Sequence, residues 1–324
     1  MKKHLLFFTF VLYSFLSCQK NIKHEHSYYY WRTNFSIDSV EKQALQQAEH
    51  SFLYTRFFDI DKIKGMYQPV GIIQKNDSIQ FSTKTIVPVV FITNRTFINS
   101  TENERKQLAQ FVWDGVREIG ENFNLKKITE IQLDCDWTVG TRDDFFHFID
   151  ELKNISKIDI TSTLRLHQVK DKKTMGIPPV SKVYLMCYST TSPMENSDKN
   201  SILDVQLLKN YLHKINDYPI KNITIALPNY SWGIVTNIFG KKRLIHALNT
   251  KDLNNNNFRK INENEIEVIE NGFYFGHYLN KGFRIKVEEI EEKQRQEVIE
   301  FLDKKLQTNY PIIYYHLDSK FIKN

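Results

Sequence analysis

Apolar and polar positions along this chain fall into two alternating patterns. Short apolar runs are separated by longer segments whose apolar residues recur every three to four positions, which is how strands alternating with helices read. Strand-like runs lie at 28–35, 51–58, 86–93, 128–137, 158–166, 182–188, 223–227 and 310–317. The amphipathic segments predict helices over 39–49, 102–122, 201–215 and 288–306. A further helix starts near Thr141-Arg142-Asp143-Asp144 and runs through 145–152. The helix over 102–122 carries its apolar stripe on Leu108, Phe111, Val112, Val116 and Ile119. Several strands are apolar on both faces, as strands covered by helices must be.

Eight strands with helical spacers predict an α/β fold, a (β/α)8 TIM barrel. An open doubly wound sheet is the competing architecture, but no glycine-rich phosphate loop follows the first strand. The gap between the seventh and eighth strands is too long for a simple crossover. It holds the Asn-rich tract 254–257 and strand-like runs at 265–270, 273–278 and 282–287, which predict a small α+β insertion over about 249–287 on the barrel rim.

The fourth strand is the most informative stretch. Side chains alternate along a strand, so Gln132, Asp134, Asp136 and Thr138 share one side and Ile131, Leu133, Cys135 and Trp137 the other. Two carboxylates on one face at a strand end repel each other, and burial raises the cost, so the arrangement suits a functional site better than a core. The first group is expected to face the barrel lumen.

The N-terminus reads as a targeting segment. Lys2, Lys3 and His4 precede an apolar run over 5–16 that is too short to span a membrane. Phe15-Leu16-Ser17-Cys18 resembles a bacterial lipobox, which implies cleavage before Cys18 and a lipid on it. An ordinary secretory signal with an incidental Cys18 is the alternative. Residues 1–17 are then a signal peptide, 18–27 a tether and 28–324 the barrel. The expected location is the bacterial cell envelope, with the protein held to a membrane through Cys18. The formal charge of +6 includes Lys2 and Lys3, and the remaining basic residues are scattered among acids, which gives no case for nucleic acid. Cys135 and Cys187 sit in apolar runs and are expected to be buried free thiols. No Cys-His spacing suggests a metal, and no cofactor is implied.

Active sites of such barrels lie at the C-terminal strand ends. Those ends supply Tyr30, Trp31 and Arg56, then Asp134, Asp136 and Trp137, then Arg165 and His167. The later strands add Met186 and Tyr188, Tyr230 and Trp232, and Tyr315 and Asp318. Aromatics gathered around acids suit an oligosaccharide or polysaccharide, whose ring faces stack while hydroxyls bond to acids and Arg.

In these residues the chain resembles the family-18 glycoside hydrolases, the chitinase-like barrels. That family's fourth strand ends Asp-x-x-Asp-x-Asp-x-Glu, and Asp134, Asp136 and Trp137 match its second and third Asp and the aromatic that follows. Met186 and Tyr188 match Met-x-Tyr-Asp, with Ser189 in place of the Asp. Ala226, Pro228, Tyr230 and Ser231 follow the shape of Gly-x-Pro-x-Tyr-Gly, and Tyr315 and Asp318 echo Trp-x-x-Asp. The departures bear on chemistry. Ile131 stands at the first Asp, and Thr138 stands at the catalytic Glu that protonates the leaving oxygen. An alcohol is too weak an acid for that task.

Three functions follow. In the first, the chain is a glycoside hydrolase in which Asp136 serves as acid or orients an acetamide, with Asp134 as its charge partner and Arg165 and His167 holding the acids. In the second, the same cleft binds a glycan without turnover, as a lipid-anchored binding protein. In the third, His167, His316, Asp134 and Asp136 hold a divalent metal for hydrolysis or deacetylation.

Overall fold

The computed structural model describes residues 22–75 and 84–322. Eight parallel strands form its centre: β1 (His26–Tyr30), β2 (Phe52–Ile63), β3 (Thr85–Ile92), β4 (Glu130–Asp134), β5 (Asp159–Leu164), β6 (Lys182–Met186), β7 (Asn222–Pro228) and β8 (Ile312–Tyr315). Each pairs with its neighbour in sequence. β1 pairs with β2, Tyr29 opposite Tyr54, and with β8, His26 opposite Ile312, so the sheet closes on itself. The expected (β/α)8 barrel is the fold.

The helices are α1 (Ser39–Gln47), α2 (Glu102–Asn122), α3 (Arg142–Ser156), α4 (Leu166–Lys170), α5 (Lys172–Met175), α6 (Val205–Tyr211) and α7 (Glu292–Leu306). α2 begins with a reciprocal cap. The Thr101 hydroxyl accepts from the Glu104 amide, and the Glu104 carboxylate accepts from the Thr101 amide at 2.7 Å. Its apolar stripe buries Leu108, Val112 and Val116, although Phe111, counted in that stripe, stays exposed. Among the described residues, no helix is long and apolar enough to cross a membrane.

Two layers of packing follow from strand alternation. Ile131, Leu133, Cys135 and Trp137 join the outer core, against Phe145, Phe148 and Leu152 of α3. The inner layer fills the lumen with Tyr29, Tyr54, Val89, Tyr184, Met186 and Ile313. Contacts between strands that are not neighbours must cross the lumen, and β4 makes two. Gln132 Nε2 donates to the Tyr29 hydroxyl of β1 at 2.6 Å, and Glu130 accepts from Lys182 Nζ and the Tyr184 hydroxyl of β6, each at 2.6 Å. The Gln132 face of β4 therefore points inward, as its alternation predicts. Cys135 and Cys187 are buried free thiols, and burial pushes both up.

Three features depart from the sequence pattern. β2 runs on to Ile63 and folds back on Met66–Val70, through a turn in which Lys64 and Gly65 both take positive φ (52° and 81°), the conformation of a tight two-residue hairpin. β4 ends at Asp134 rather than at residue 137. The insertion starts at Trp232 rather than near 249. Its five antiparallel strands stand in the order Lys242–His246, Trp232–Thr236, Arg284–Glu288, Glu265–Val268, Phe258–Lys260, around a separate core that includes Val235, Ile266 and Val287. The first hairpin follows β7 after only Asn229, Tyr230 and Ser231.

Candidate functional site

A cavity of about 500 Å³ opens where the strands end, bounded by the barrel on one side and by the inserted sheet's first hairpin on the other. Asp134, the last residue of β4, lines its depth and is 4% exposed. The Thr163 hydroxyl of β5 donates to its Oδ1 at 2.8 Å. Burial is the main cause pushing this carboxyl up to about 7, and the neighbouring Asp136 adds to the rise. The Thr163 hydrogen bond and the Arg165 guanidinium pull the other way, less strongly. Near neutral pH Asp134 can therefore hold a proton that an ordinary Asp has lost.

Asp136 lies two residues on, beyond the end of the strand, with its side chain half exposed. Arg165 Nη1 donates to both of its oxygens, at 3.2 and 3.3 Å. Arg165 stands where β5 gives way to α4, its amide donating to Gln168 Oε1 at 2.8 Å. Two carboxyls of one strand thus sit in opposite surroundings. The inner one is pushed toward its neutral form and the outer one is held by a cation, which is how paired acids are given different roles.

Aromatic rings form the walls. Tyr315 is central, 5.3 Å from Tyr188 in a stacked pair, 5.4 Å from Trp31 and 5.7 Å from Tyr230. Trp232 continues the row at 5.2 Å from Tyr230. Burial pushes the phenols of Tyr188, Tyr230 and Tyr315 up, so all three stay protonated. Among the described residues, the Tyr188 hydroxyl, buried at the cavity wall, has no hydrogen-bond partner, and neither does Gln132 Oε1 in the lumen. Buried polar atoms left without a partner are rare. A donor beside a carboxyl pushed toward its neutral form, under aromatic walls, fits a polar group carried on an apolar ring face.

Most residues expected at the strand ends do line the cavity: Trp31, Asp134, Asp136, Arg165, Met186, Tyr188, Tyr230, Trp232, Tyr315 and Asp318. Four do not. Tyr30 is fully buried and turned outward, its hydroxyl donating to the Asn34 carbonyl at 2.6 Å. Trp137 is fully buried against Phe145, ring centroids 5.2 Å apart, and its indole donates to the Met175 carbonyl at 2.9 Å. Strand alternation had already placed Trp137 on the outer face with Leu133. His167 sits in the first turn of α4, exposed and outside the lining, because the chain becomes helical at Leu166 and stops following strand alternation. Arg56 lies behind the wall. It pairs with Asp59, Nε to Oδ1 at 2.6 Å, and sits 5.7 Å from the Trp31 ring.

Thr138, at the position of the family's catalytic Glu, is also outside the lining. Its amide donates to Thr141 Oγ1 at 3.0 Å, and its carbonyl accepts from the amides of Thr141 and Arg142 as α3 begins. The metal arrangement does not form: His167 lies outside the cavity lining, and among the described residues no three His, Cys, Asp or Glu side chains gather. Sequence reasoning missed His246 and Lys320. His246 arrives on the inserted hairpin opposite Trp232, a register that only pairing reveals, and Lys320 comes from the segment after β8.

No family model matches the chain, and no curated protein matches it. Solved structures do. The spore cortex-lytic enzyme SleL of Bacillus megaterium QM B1551 aligns with a TM-score of 0.56 at 12% identity, over 91% of this chain and 70% of that one. The fold these structures share with the chain is the closed (β/α)8 barrel. A chitinase of Chromobacterium violaceum ATCC 12472 aligns at 0.53 and 11% identity, over 90% of this chain and 96% of its own. The Group IV chitinase of Ostrinia furnacalis aligns at 0.51 and 9% identity, over 91% and 93%. At these identities the likeness is one of fold, and function has to be argued from the site.

Proposed function

We propose that this chitinase-like barrel binds an oligosaccharide or polysaccharide in the cavity and hydrolyses it with a proton held by the Asp134–Asp136 pair. One observation carries the reading: a buried carboxyl pushed up to about 7 stands next to a cation-held carboxylate, under a row of aromatic walls. Sugar ring faces stack on Trp31, Tyr315 and Trp232, and the unpartnered Tyr188 hydroxyl meets a polar substituent. Asp136 faces the substrate. As the glycosidic C–O bond breaks, the proton stored on Asp134 passes by way of Asp136 to the leaving oxygen, a water oxygen bonds to the anomeric carbon, and the proton that water gives up returns to the carboxyl pair. Arg165 holds Asp136 in place through hydrogen bonds to both of its oxygens. The proteins compared above are named as chitinases and a cortex-lytic enzyme, which supports a glycan as the substrate class.

The second reading, binding without turnover, is favoured by Thr138. The acid that the family places there is missing, and the residue is turned out of the cavity. Reducing-end release from a panel of oligosaccharides, measured beside calorimetric binding to the same panel, separates the two. Release that disappears in Asp136→Asn supports hydrolysis. Binding with no release from any glycan leaves the binding protein, and no binding at all removes both.

We also propose that Cys18 carries lipid and holds the barrel at a membrane of the bacterial cell envelope. The basic head, the apolar run and Ser17-Cys18 support this, although residues 1–21 lie outside the described structure. Mass spectrometry of the mature N-terminus is the test, and an unmodified Cys18 refutes it.

A further inference from the structure

Glu288 ends the last strand of the inserted sheet, opposite Trp232 in register. It lies outside the cavity lining, and its carboxylate is only 2% exposed. Three donors meet on its Oε2: the Trp232 indole N–H at 3.0 Å, the Ser201 amide at 2.9 Å and the Ser201 hydroxyl. Lys286 Nζ lies 3.0 Å from the other oxygen. A buried carboxylate this fully satisfied holds its partners in fixed geometry. Of the partners, only Trp232 reaches the cavity. Ser201 belongs to the segment between β6 and α6, where the Ser189 amide donates to the Ile202 carbonyl at 2.7 Å and Ser189 itself lines the cavity.

We infer that Glu288 is a positioning residue that fixes the Trp232 indole as the outer wall of the glycan cleft and ties that wall to the segment running from Ser189 to Ser201. The inference rests on the glycan reading of the cavity. A partly exposed tryptophan without this anchor turns about its two side-chain torsions and has to be ordered each time a sugar docks, which weakens binding. Glu288 touches neither Asp134 nor Asp136, so its effect belongs to affinity and not to proton transfer.

A double-mutant cycle on the full chain tests this, with calorimetric binding of an N-acetylglucosamine hexamer as the probe. Glu288→Leu is expected to weaken binding about tenfold in the wild-type background and less than about twofold when Trp232→Phe is already present, since the two act as one unit. An equal loss in both backgrounds overturns the inference, because Glu288 then acts without Trp232. Should Glu288→Leu fail to fold, Glu288→Gln enters the same cycle. It keeps an acceptor oxygen for the indole and is expected to hold affinity within about threefold of wild type; a loss as large as that of Trp232→Phe overturns the inference. If the wild-type chain does not bind the hexamer, that glycan assignment fails separately. Acrylamide quenching of the Trp232 signal, taken as the difference from Trp232→Phe, then decides: quenching rises in Glu288→Leu if the anchor is real, and unchanged quenching sinks it.

Discussion

Asp134→Asn separates stability from chemistry at the carboxyl on which the proposed mechanism depends. In the fold the carboxyl is pushed from 3.8 to about 7. At about 1.4 kcal/mol per pH unit, ionising it costs the native state about 4 kcal/mol relative to the unfolded chain. The native protein keeps a proton that the unfolded chain has already lost, so the contribution of Asp134 to stability is fullest below about pH 4, falls as pH rises toward 7, and levels off above. An amide of the same shape removes that decline and still accepts from Thr163. The variant is therefore expected to gain on wild type by about 2–3 kcal/mol between pH 5 and pH 8, read as the difference in urea unfolding free energy at the two pH values. Turnover should vanish in the same variant, since the stored proton is gone. Curves for the two proteins that stay parallel from pH 5 to pH 8 would refute the account, because Asp134 would then be ionised in the native state and hold nothing to donate.

Asp136→Asn should lower glycoside release by about 10²–10⁴-fold while binding of the same glycan, followed calorimetrically, is kept; loss of binding with turnover per bound complex intact would reverse the roles. Arg165→Leu removes a cation that pulls Asp134 down, so the alkaline limb of the activity profile should move above its wild-type position near 7, and a limb that stays or falls contradicts the assignment. Thr138→Glu is expected to add no chitin-type activity, because Thr138 is held in the turn with Thr141 at the start of α3, outside the cavity; a rise in release would show that the position still reaches substrate.

The carboxyl pair and the barrel that carries it were legible in the sequence because both rest on local periodicities. Alternation in β4 put Gln132, Asp134 and Asp136 on one face and Leu133 and Trp137 on the other, and the lumen contacts of Gln132 and Glu130 obey it. Eight strand runs with helical spacers left few ways to bury both faces of each strand other than closing the sheet. Where local pattern failed, the backbone had changed state. Leu166 begins a helix, so His167 no longer follows the strand. Closeness to a strand end suggests Trp137 against an alternation that turns it outward, and it suggests Tyr30 with no account of the face it takes. Tertiary structure alone decided the rest. The rise of the Asp134 carboxyl comes from its burial, and the hold on Asp136 from Arg165 just beyond the end of β5, and neither is a property of a sequence window. His246 entered the cavity through hairpin register with Trp232, and the Glu288 anchor through the pairing of strands more than fifty residues apart. Periodicity determines which face a side chain takes, because that depends on neighbours in the chain; which groups meet there, and how strongly they are desolvated, depends on neighbours in space.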